Sequence, residues 1–197
     1  MQSDNDNFMG GLRGAVALSH FFLRERVGPG DRVLDATCGN GHDTLLLARQ
    51  VGSFGRVWAF DVQTSALEST HALLSAAGCR NQTELVASGH ERLAEFVTEP
   101  LRAAVFNLGY RPGGDRNIAT AAAHTVAALR QAAELLLPGG IITVCIYTGH
   151  DGGQEEADAV EEWSSSLPPQ LFNAWRNRQV NRPGTAPYLL LVEKSQP

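Results

Sequence analysis

Short apolar runs alternate with longer amphipathic segments over most of the chain. The runs Arg32–Asp35 and Arg56–Asp61 have the length and composition of buried strands, and the segment His42–Gln50 between them has helical spacing. Strands that alternate with helices in this way form parallel sheets, because each helix carries the chain back across the sheet. The pattern therefore predicts an α/β fold.

The same alternation continues towards the carboxyl terminus. We predict helices at Leu12–Val27, Ser65–Ala77, Glu91–Val97 and Ala119–Leu137, and strands at Glu84–Ala87, Ala103–Asn107 and Ile141–Val144. The last of these helices is rich in Ala and Leu, and Pro138-Gly139-Gly140 is expected to end it. The length of 197 residues favours a single domain over 1–197, with residues 1–9 as a flexible tail.

The end of the chain has a different pattern from the rest. Gln170–Val180 and Tyr188–Glu193 resemble two strands joined through Arg182-Pro183-Gly184, with no helix between them. Two strands joined this directly pair antiparallel, since a parallel pair needs a long crossover. The sequence thus predicts a mainly parallel seven-stranded sheet that is finished by an antiparallel hairpin.

Charge and cysteine content narrow the class of protein. The net charge of −5 supplies no broad basic surface, so any contact with RNA must come from a local group of Arg side chains. Cys38, Cys79 and Cys145 are odd in number and far apart, which favours neither disulfides nor a metal site. No apolar run of about 18 residues is present. We expect a cytoplasmic protein without a membrane partner, either a monomer or a homodimer.

A glycine-rich turn follows the first strand. Gly39-Asn40-Gly41 lets backbone approach a ligand at the carboxyl end of the sheet, and Asp61 ends the next strand, where a carboxylate can bind a ribose diol. The alternative is a tight turn that only packs helix against strand. A dinucleotide site is disfavoured, because Thr44 stands where a third glycine would be.

Two carboxylates flank this turn. Asp35 and Asp43 would repel a pyrophosphate but would attract a cationic ligand. The alternative role of Asp43 is to cap the following helix and to interact with its dipole. Cys38 is interpreted as a small buried side chain.

Six strings carry a resemblance to a known family. In chain order they are DATCGNGHDTLLLA, FDVQ, SGHERL, FNLGYRPGGD, IYTGHDGG and NRPGTAPYLLLVEK. Over residues 20–194 the chain resembles the family described as putative rRNA methylases, and more specifically the tRNA 5-(aminomethyl)-2-thiouridylate methyltransferases. The resemblance implies a Rossmann-like class I fold, S-adenosylmethionine (SAM) as methyl donor, and N-methylation of the aminomethyl group of a modified wobble uridine in tRNA.

The resemblance also implies where the donor binds. The implied contacts are Asp35, Thr37, Gly39, Asn40, Gly41, Asp43, Thr44, Asp61, Gln63, Gly89 and His90. His20 either lines this site, as the family pattern suggests, or packs in the first helix. Ser88 stands where an acidic residue near the adenine amino group would be expected.

Asn107-Leu108-Gly109-Tyr110 follows the fourth strand and is similar to the Asn-Pro-Pro-Tyr loop of enzymes that methylate amino groups. The Asn107 side-chain oxygen and the Leu108 carbonyl can accept hydrogen bonds from a nitrogen nucleophile, and Tyr110 can stack on a base. An amine with a pKa of about 10 must lose a proton before it reacts. His150 is the first choice for base or orienting group, although a His at this position also commonly caps a helix.

Further candidates lie around the transfer site. Tyr147 is a second candidate beside the transfer site, whereas Asp115 is more typical of a turn. An anticodon stem could meet Arg111, Arg116, Arg176, Arg178 and Arg182, which could equally be solvated surface residues. Three other functions remain open: methylation of a small molecule, methylation of rRNA, and donor binding without catalysis.

Overall fold

The computed structural model describes residues 13–111, 113 and 119–196. The predicted tail at 1–9, Asp115 and Arg116 lie outside these residues. The elements are α1 (Gly14–Arg26), β1 (Arg32–Asp35), α2 (His42–Val51), β2 (Arg56–Asp61), α3 (Thr64–Ala76), β3 (Thr83–Ala87), β4 (Leu101–Asn107), α4 (Ala122–Leu135), β5 (Leu136–Ile146), α5 (Gly153–Ser165), β6 (Phe172–Asn177) and β7 (Tyr188–Lys194). Short 3-10 turns occupy Gly52–Phe54 and His90–Glu95.

The strands form one sheet of seven in the order β3-β2-β1-β4-β5-β7-β6. The first five strands in this order, β3, β2, β1, β4 and β5, are parallel to one another. β7 pairs antiparallel with both β5 and β6. The predicted sheet and its terminal hairpin are therefore confirmed. The strand order reverses between β1 and β4, and such a reversal opens a crevice at the carboxyl ends of the strands.

The central strands of the sheet are buried on both faces, because a layer of helices packs on each side of them. Leu34 and Phe106 pack in one cluster with residues of α4 and α5, whereas Val33 and Val105 pack in another with residues of α1 and α2. The packing fixes the ends of β1 and β4 where the crevice opens. No helix among the described residues is long and apolar enough to cross a membrane.

The Ala-rich helix is shorter than predicted at both ends. It begins at Ala122, because Ala119 forms an isolated bridge with Tyr110 instead. It ends at Leu135, and β5 already includes Pro138, with an irregular register where it pairs with β4 between Leu101 and Ala103. The Pro-Gly-Gly segment thus lies inside the strand rather than before it.

α5 was not predicted, and the short helix expected at 91–97 is a 3-10 turn at His90–Glu95. The signal for α5 was present, since Ala157, Val160 and Trp163 have helical spacing and all three are buried. This helix matters for the site because it contributes a buried carboxylate, described below.

Candidate active site

A cavity of about 610 Å³ opens at the carboxyl ends of the parallel strands. It has two parts, which we name by their residues. The glycine-turn half comprises residues 36–40, 42–43, 60–63 and 88–91, and the loop half comprises residues 107–111, 119–121 and 147–150. The lining includes Thr37, Gly39, Asn40, Asp43, Asp61, Gln63, Gly89, His90, Asn107, Tyr110, Tyr147 and His150 of the predicted site.

The glycine turn is shaped by two residues in the left-handed region. Gly39 has a φ of 51° and Gly41 a φ of 84°. A Cβ at Gly41 would lie 2.9 Å from the Thr70 Cα atom of α3. Glycine at 41 is therefore required both by the backbone conformation and by the close approach of α3.

Asp61 is held in place by backbone groups. Its Oδ2 accepts a hydrogen bond from the Gly39 N–H at 3.0 Å, and its Oδ1 accepts one from the Gln63 N–H at 2.9 Å. Each carboxylate oxygen keeps a further lone pair. The carboxylate is thus fixed at the end of β2 with acceptor capacity for a diol.

Three of the predicted donor contacts, Asp35, Gly41 and Thr44, do not line the cavity. Asp35 and Thr44 have no exposed surface, and Gly41 is also buried. Asp35 accepts hydrogen bonds from the Thr44 hydroxyl at 2.6 Å and from the Thr37 N–H at 3.2 Å. These residues build the turn instead of lining the cavity.

Burial, together with the nearby charge of Asp43, raises the pKa of Asp35 to about 7. Three carboxylates thus lie near one another around the glycine turn: Asp43 and Asp61 in the cavity wall and Asp35 behind it. Such a cluster favours a cation and opposes a phosphate. A positively charged sulfonium with a ribose fits both this cluster and the fixed Asp61 carboxylate.

Asp43 connects the two halves of the cavity. Its Oδ1 lies 2.5 Å from the Nε2 of His20, and its Oδ2 accepts a hydrogen bond from the Asn107 Nδ2. Because the amide nitrogen of Asn107 faces Asp43, the amide oxygen faces away from it. That buried oxygen has no hydrogen-bond partner among the described residues.

Backbone hydrogen bonds hold the loop after β4 in place. The Asn107 N–H donates to the Thr37 hydroxyl at 2.7 Å, and the Gly109 N–H donates to the Thr120 hydroxyl at 2.7 Å. The Thr120 N–H donates in turn to the Gly109 carbonyl at 3.0 Å. Tyr110 lies at the mouth of the cavity with 38% of its surface exposed.

His150 packs against this loop. A Cβ at Gly109 would lie 3.2 Å from its Nε2, and its ring makes an edge contact with Tyr110 at 6.0 Å between centroids. The His150 Nδ1 lies 3.0 Å from the Asp151 carbonyl, which can only accept, so Nδ1 carries a proton. The buried Nε2 has no partner in the described part of the chain. A neutral His150 therefore presents a lone pair at Nε2.

Burial shifts the pKa of three further groups of the lining, Tyr147, His90 and Cys38. Burial raises the pKa of Tyr147 to about 12, which makes its hydroxyl a donor and not a base. Burial also lowers the pKa of His90, whose Nδ1 lies 3.2 Å from the Ala36 carbonyl. The Ser88 hydroxyl donates to the Gly89 carbonyl at 3.3 Å. Cys38 is buried as expected, and burial raises the pKa of its thiol.

Sequence reasoning missed a buried carboxylate under the loop. Glu156 of α5 is 2% exposed and accepts hydrogen bonds from the hydroxyls of Thr120 at 2.7 Å and Thr125 at 2.5 Å. The Thr125 Oγ1 lies 3.5 Å from the His90 Nε2. Helical periodicity could have placed Glu156 on the inner face of α5, but its hydroxyl partners come from α4 and the loop before it.

The Arg residues expected on the substrate rim are largely engaged within the protein. Arg111 donates to the Asn40 side-chain oxygen at 2.7 Å and to the hydroxyls of Ser65 and Ser69, each at 2.9 Å. Arg176 and Arg178 both pair with Glu161, at 2.8 and 3.5 Å. Arg182, by contrast, is exposed and forms no ion pair with another described residue. The expected basic rim is therefore weaker than the sequence suggested.

The mainly parallel sheet, its terminal antiparallel hairpin and the cation-favouring glycine turn define a class I SAM-dependent methyltransferase. Residues 57–193 match the family described as "Putative rRNA methylase". The chain belongs to this family.

Relatives and solved structures agree with this assignment. A curated protein of Arabidopsis thaliana named tRNA (mnm(5)s(2)U34)-methyltransferase, chloroplastic, is 39% identical over 97% of this chain and 74% of its own. A crystal structure of an rRNA methylase family protein from Clostridium thermocellum has a TM-score of 0.90 at 40% identity, covering 92% of this chain and 98% of that one. A protein from Streptococcus mutans described as "a putative methyltransferase", in complex with S-adenosylhomocysteine (SAH), has a TM-score of 0.83 at 35% identity, covering 91% of this chain and 97% of that one.

Proposed function

We propose that the protein is a tRNA methyltransferase that adds a methyl group to the aminomethyl nitrogen of 5-aminomethyl-2-thiouridine at the wobble position. The observation that carries this proposal is the unpartnered Oδ1 of Asn107, which is buried at the cavity and fixed by the bond between its Nδ2 and Asp43. The name of the Arabidopsis relative supports the same substrate class.

Donor binding is assigned to the glycine-turn half. Asp61 would accept hydrogen bonds from the ribose diol, and Gln63, Gly89 and His90 lie where the adenosine end would extend. The backbone of Thr37, Gly39 and Asn40 would meet the amino acid end beside Asp43. When bound, SAM supplies a methyl group that is already activated by the positive sulfur.

The acceptor nitrogen is held by the loop half. In this proposal Asn107 Oδ1 accepts one N–H of the amine and the Leu108 carbonyl accepts another, so that the nitrogen lone pair is oriented towards the donor. A buried acceptor without a partner costs stability, which a substrate N–H would recover on binding. The loop therefore selects a nucleophile that can donate hydrogen bonds and still keep a lone pair.

A protonated amine cannot react, and His150 is the proton acceptor in this proposal. Its Nδ1–H is bound to the Asp151 carbonyl, which leaves the Nε2 lone pair to take a proton from the aminomethyl nitrogen. Tyr147, with its raised pKa, stays protonated and acts as a hydrogen-bond donor. The exposed face of Tyr110 can stack on the base of the substrate nucleotide.

The test is methyl transfer from labelled SAM to three acceptors: tRNA that carries the unmethylated aminomethyl nucleoside, ribosomal RNA, and small amines. We expect label in tRNA alone, and 5-methylaminomethyl-2-thiouridine on nucleoside mass analysis. Asn107→Ala should lower the rate of transfer by about 10²- to 10³-fold, whereas Asn173→Ala, on the exposed edge strand, should not. Label in rRNA or in free amines without tRNA would replace this proposal with one of the alternative functions.

A further inference from the structure

α1 places a histidine beside the first turn of α2. The preceding residue, Ser19, is buried and donates to the Thr143 hydroxyl of β5 at 2.9 Å, and Leu23 is buried in the core one turn later. These neighbours fix the rotation of α1 about its axis. His20 is therefore held at a defined position outside the cavity lining.

His20 contacts the carboxylate of Asp43. Its Nε2 lies 2.5 Å from the Asp43 Oδ1, and both side chains are largely buried, at 23% and 11% exposed. A carboxylate only accepts hydrogen bonds, so the His20 Nε2 carries the proton. Asp43 lies in the first turn of α2, where the helix dipole stabilises negative charge.

The second oxygen of the same carboxylate decides which way the Asn107 amide faces. Because Asp43 Oδ2 accepts from Nδ2, the flipped amide would set two acceptors against each other. A flipped amide would also point N–H groups at the amine, where an acceptor is needed. The orientation of Asn107 thus depends on a carboxylate that His20 holds from the other side.

We propose that His20 is a positioning residue for methyl transfer, which acts through Asp43 to keep the Asn107 oxygen directed at the acceptor nitrogen. The inference deepens the proposed function and rests on it for the identity of the nucleophile. His20 touches neither substrate in this account, so its loss should lower kcat and leave both substrate affinities nearly unchanged.

The first experiment measures the amide without any substrate. In protein labelled with ¹⁵N on asparagine, the Asn107 side-chain resonances, assigned by their loss in Asn107→Ala, should shift in His20→Leu. They should return towards the wild-type position in His20→Gln, whose amide nitrogen can donate to Asp43. His71→Leu, a change at an exposed histidine of α3, should leave them unmoved.

The second experiment measures turnover for the same variants. We expect His20→Leu to lower kcat by about 10- to 100-fold, as misplacement of a reacting group does, with the KM for tRNA and the Kd for SAM within about threefold of wild type. His20→Gln should recover most of the rate. A His20→Leu, Asn107→Ala double variant should be no slower than Asn107→Ala alone.

The outcomes separate this inference from the proposed function. An unshifted Asn107 resonance in His20→Leu, a wild-type kcat, or equal loss in His20→Gln would overturn the positioning role. If the resonances shift as expected but tRNA is not methylated, the positioning of Asn107 stands and the substrate assignment fails.

Discussion

The two halves of the cavity differ in how their polar groups are satisfied. In the glycine-turn half, Asp61 is bound by two backbone N–H groups, and directly behind it Asp35 is bound by Thr44 and Thr37. In the loop half, the Asn107 Oδ1 and the His150 Nε2 are buried without partners among the described residues. The carboxylates of the first half are hydrogen-bonded within the protein, whereas the second half has two acceptor atoms without protein partners.

This difference corresponds to the different tasks of the two halves. The methyl donor is chemically invariant, so a prearranged set of carboxylates can bind it at little cost in ordering. The acceptor must be oriented and deprotonated at the moment of reaction, and this requires acceptor atoms that no protein group occupies. Substitutions in the loop half should therefore reduce kcat, and substitutions in the glycine-turn half should reduce donor affinity.

The largest effect is expected for Asn107→Ala. Loss of the side-chain oxygen that accepts a hydrogen bond from the nucleophile should lower kcat by about 10²- to 10³-fold, comparable to the loss of one positioned hydrogen-bond group elsewhere in catalysis. The Kd for SAM, measured by calorimetry, should change little. A variant with normal turnover would remove the loop from the mechanism, and one with lost SAM binding would erase the distinction between the halves.

His150→Ala tests the proton acceptor in the loop half. We expect kcat near neutral pH to fall by about 100-fold, within the usual range for a general base. The rate of the variant should rise as pH increases towards the amine pKa of about 10, because the nucleophile then loses its proton to solvent. A loss that is the same at every pH would assign His150 a packing role against Gly109 instead.

Asp61→Ala tests the glycine-turn half. Removal of the carboxylate that is expected to hold the ribose should weaken SAM binding by about 10- to 30-fold, the value of one or two hydrogen bonds to a charged group. The kcat at saturating SAM should stay within a few fold of wild type. Asp158→Ala, at an exposed position of α5, is the matched control and should bind SAM normally.

A smaller effect should come from Asp35, whose pKa burial raises to about 7. As pH rises through this value the carboxylate ionises, so the affinity for cationic SAM should increase by a few fold between pH 6 and pH 8. Binding of SAH, which lacks the positive charge, should rise less over the same range. Equal pH dependence for SAM and SAH would exclude an electrostatic contribution from Asp35.

The sequence predicted the fold of the protein better than the details of its candidate site. The bounds of β1 and β2 follow directly from their apolar runs, and the hairpin of β6 and β7 from the absence of a helix between them. These features are local, since a strand that is buried on both faces is a short, continuous apolar run in the sequence. The shortened α4 shows the limit, because the bridge between Tyr110 and Ala119 sets its start.

Contacts between distant segments could not be predicted. His20, Asp43 and Asn107 are separated by 23 and 64 residues along the chain, and no spacing rule connects them. The same holds for Arg111. The sequence suggested it as a contact for RNA, but in the structure it donates hydrogen bonds to Asn40 and to α3. Residue type indicated which groups carry chemistry, but only packing determined which of them keep a free acceptor atom.

The most direct test of the proposed function is nucleoside mass analysis of total tRNA from cells that lack this protein, complemented with either wild type or Asn107→Ala. We predict that cells without the protein accumulate 5-aminomethyl-2-thiouridine, that the wild-type protein restores the methylated nucleoside, and that the Asn107→Ala variant does not. Unchanged methylation in cells without the protein, or equal restoration by the wild type and by Asn107→Ala, would contradict the proposed function.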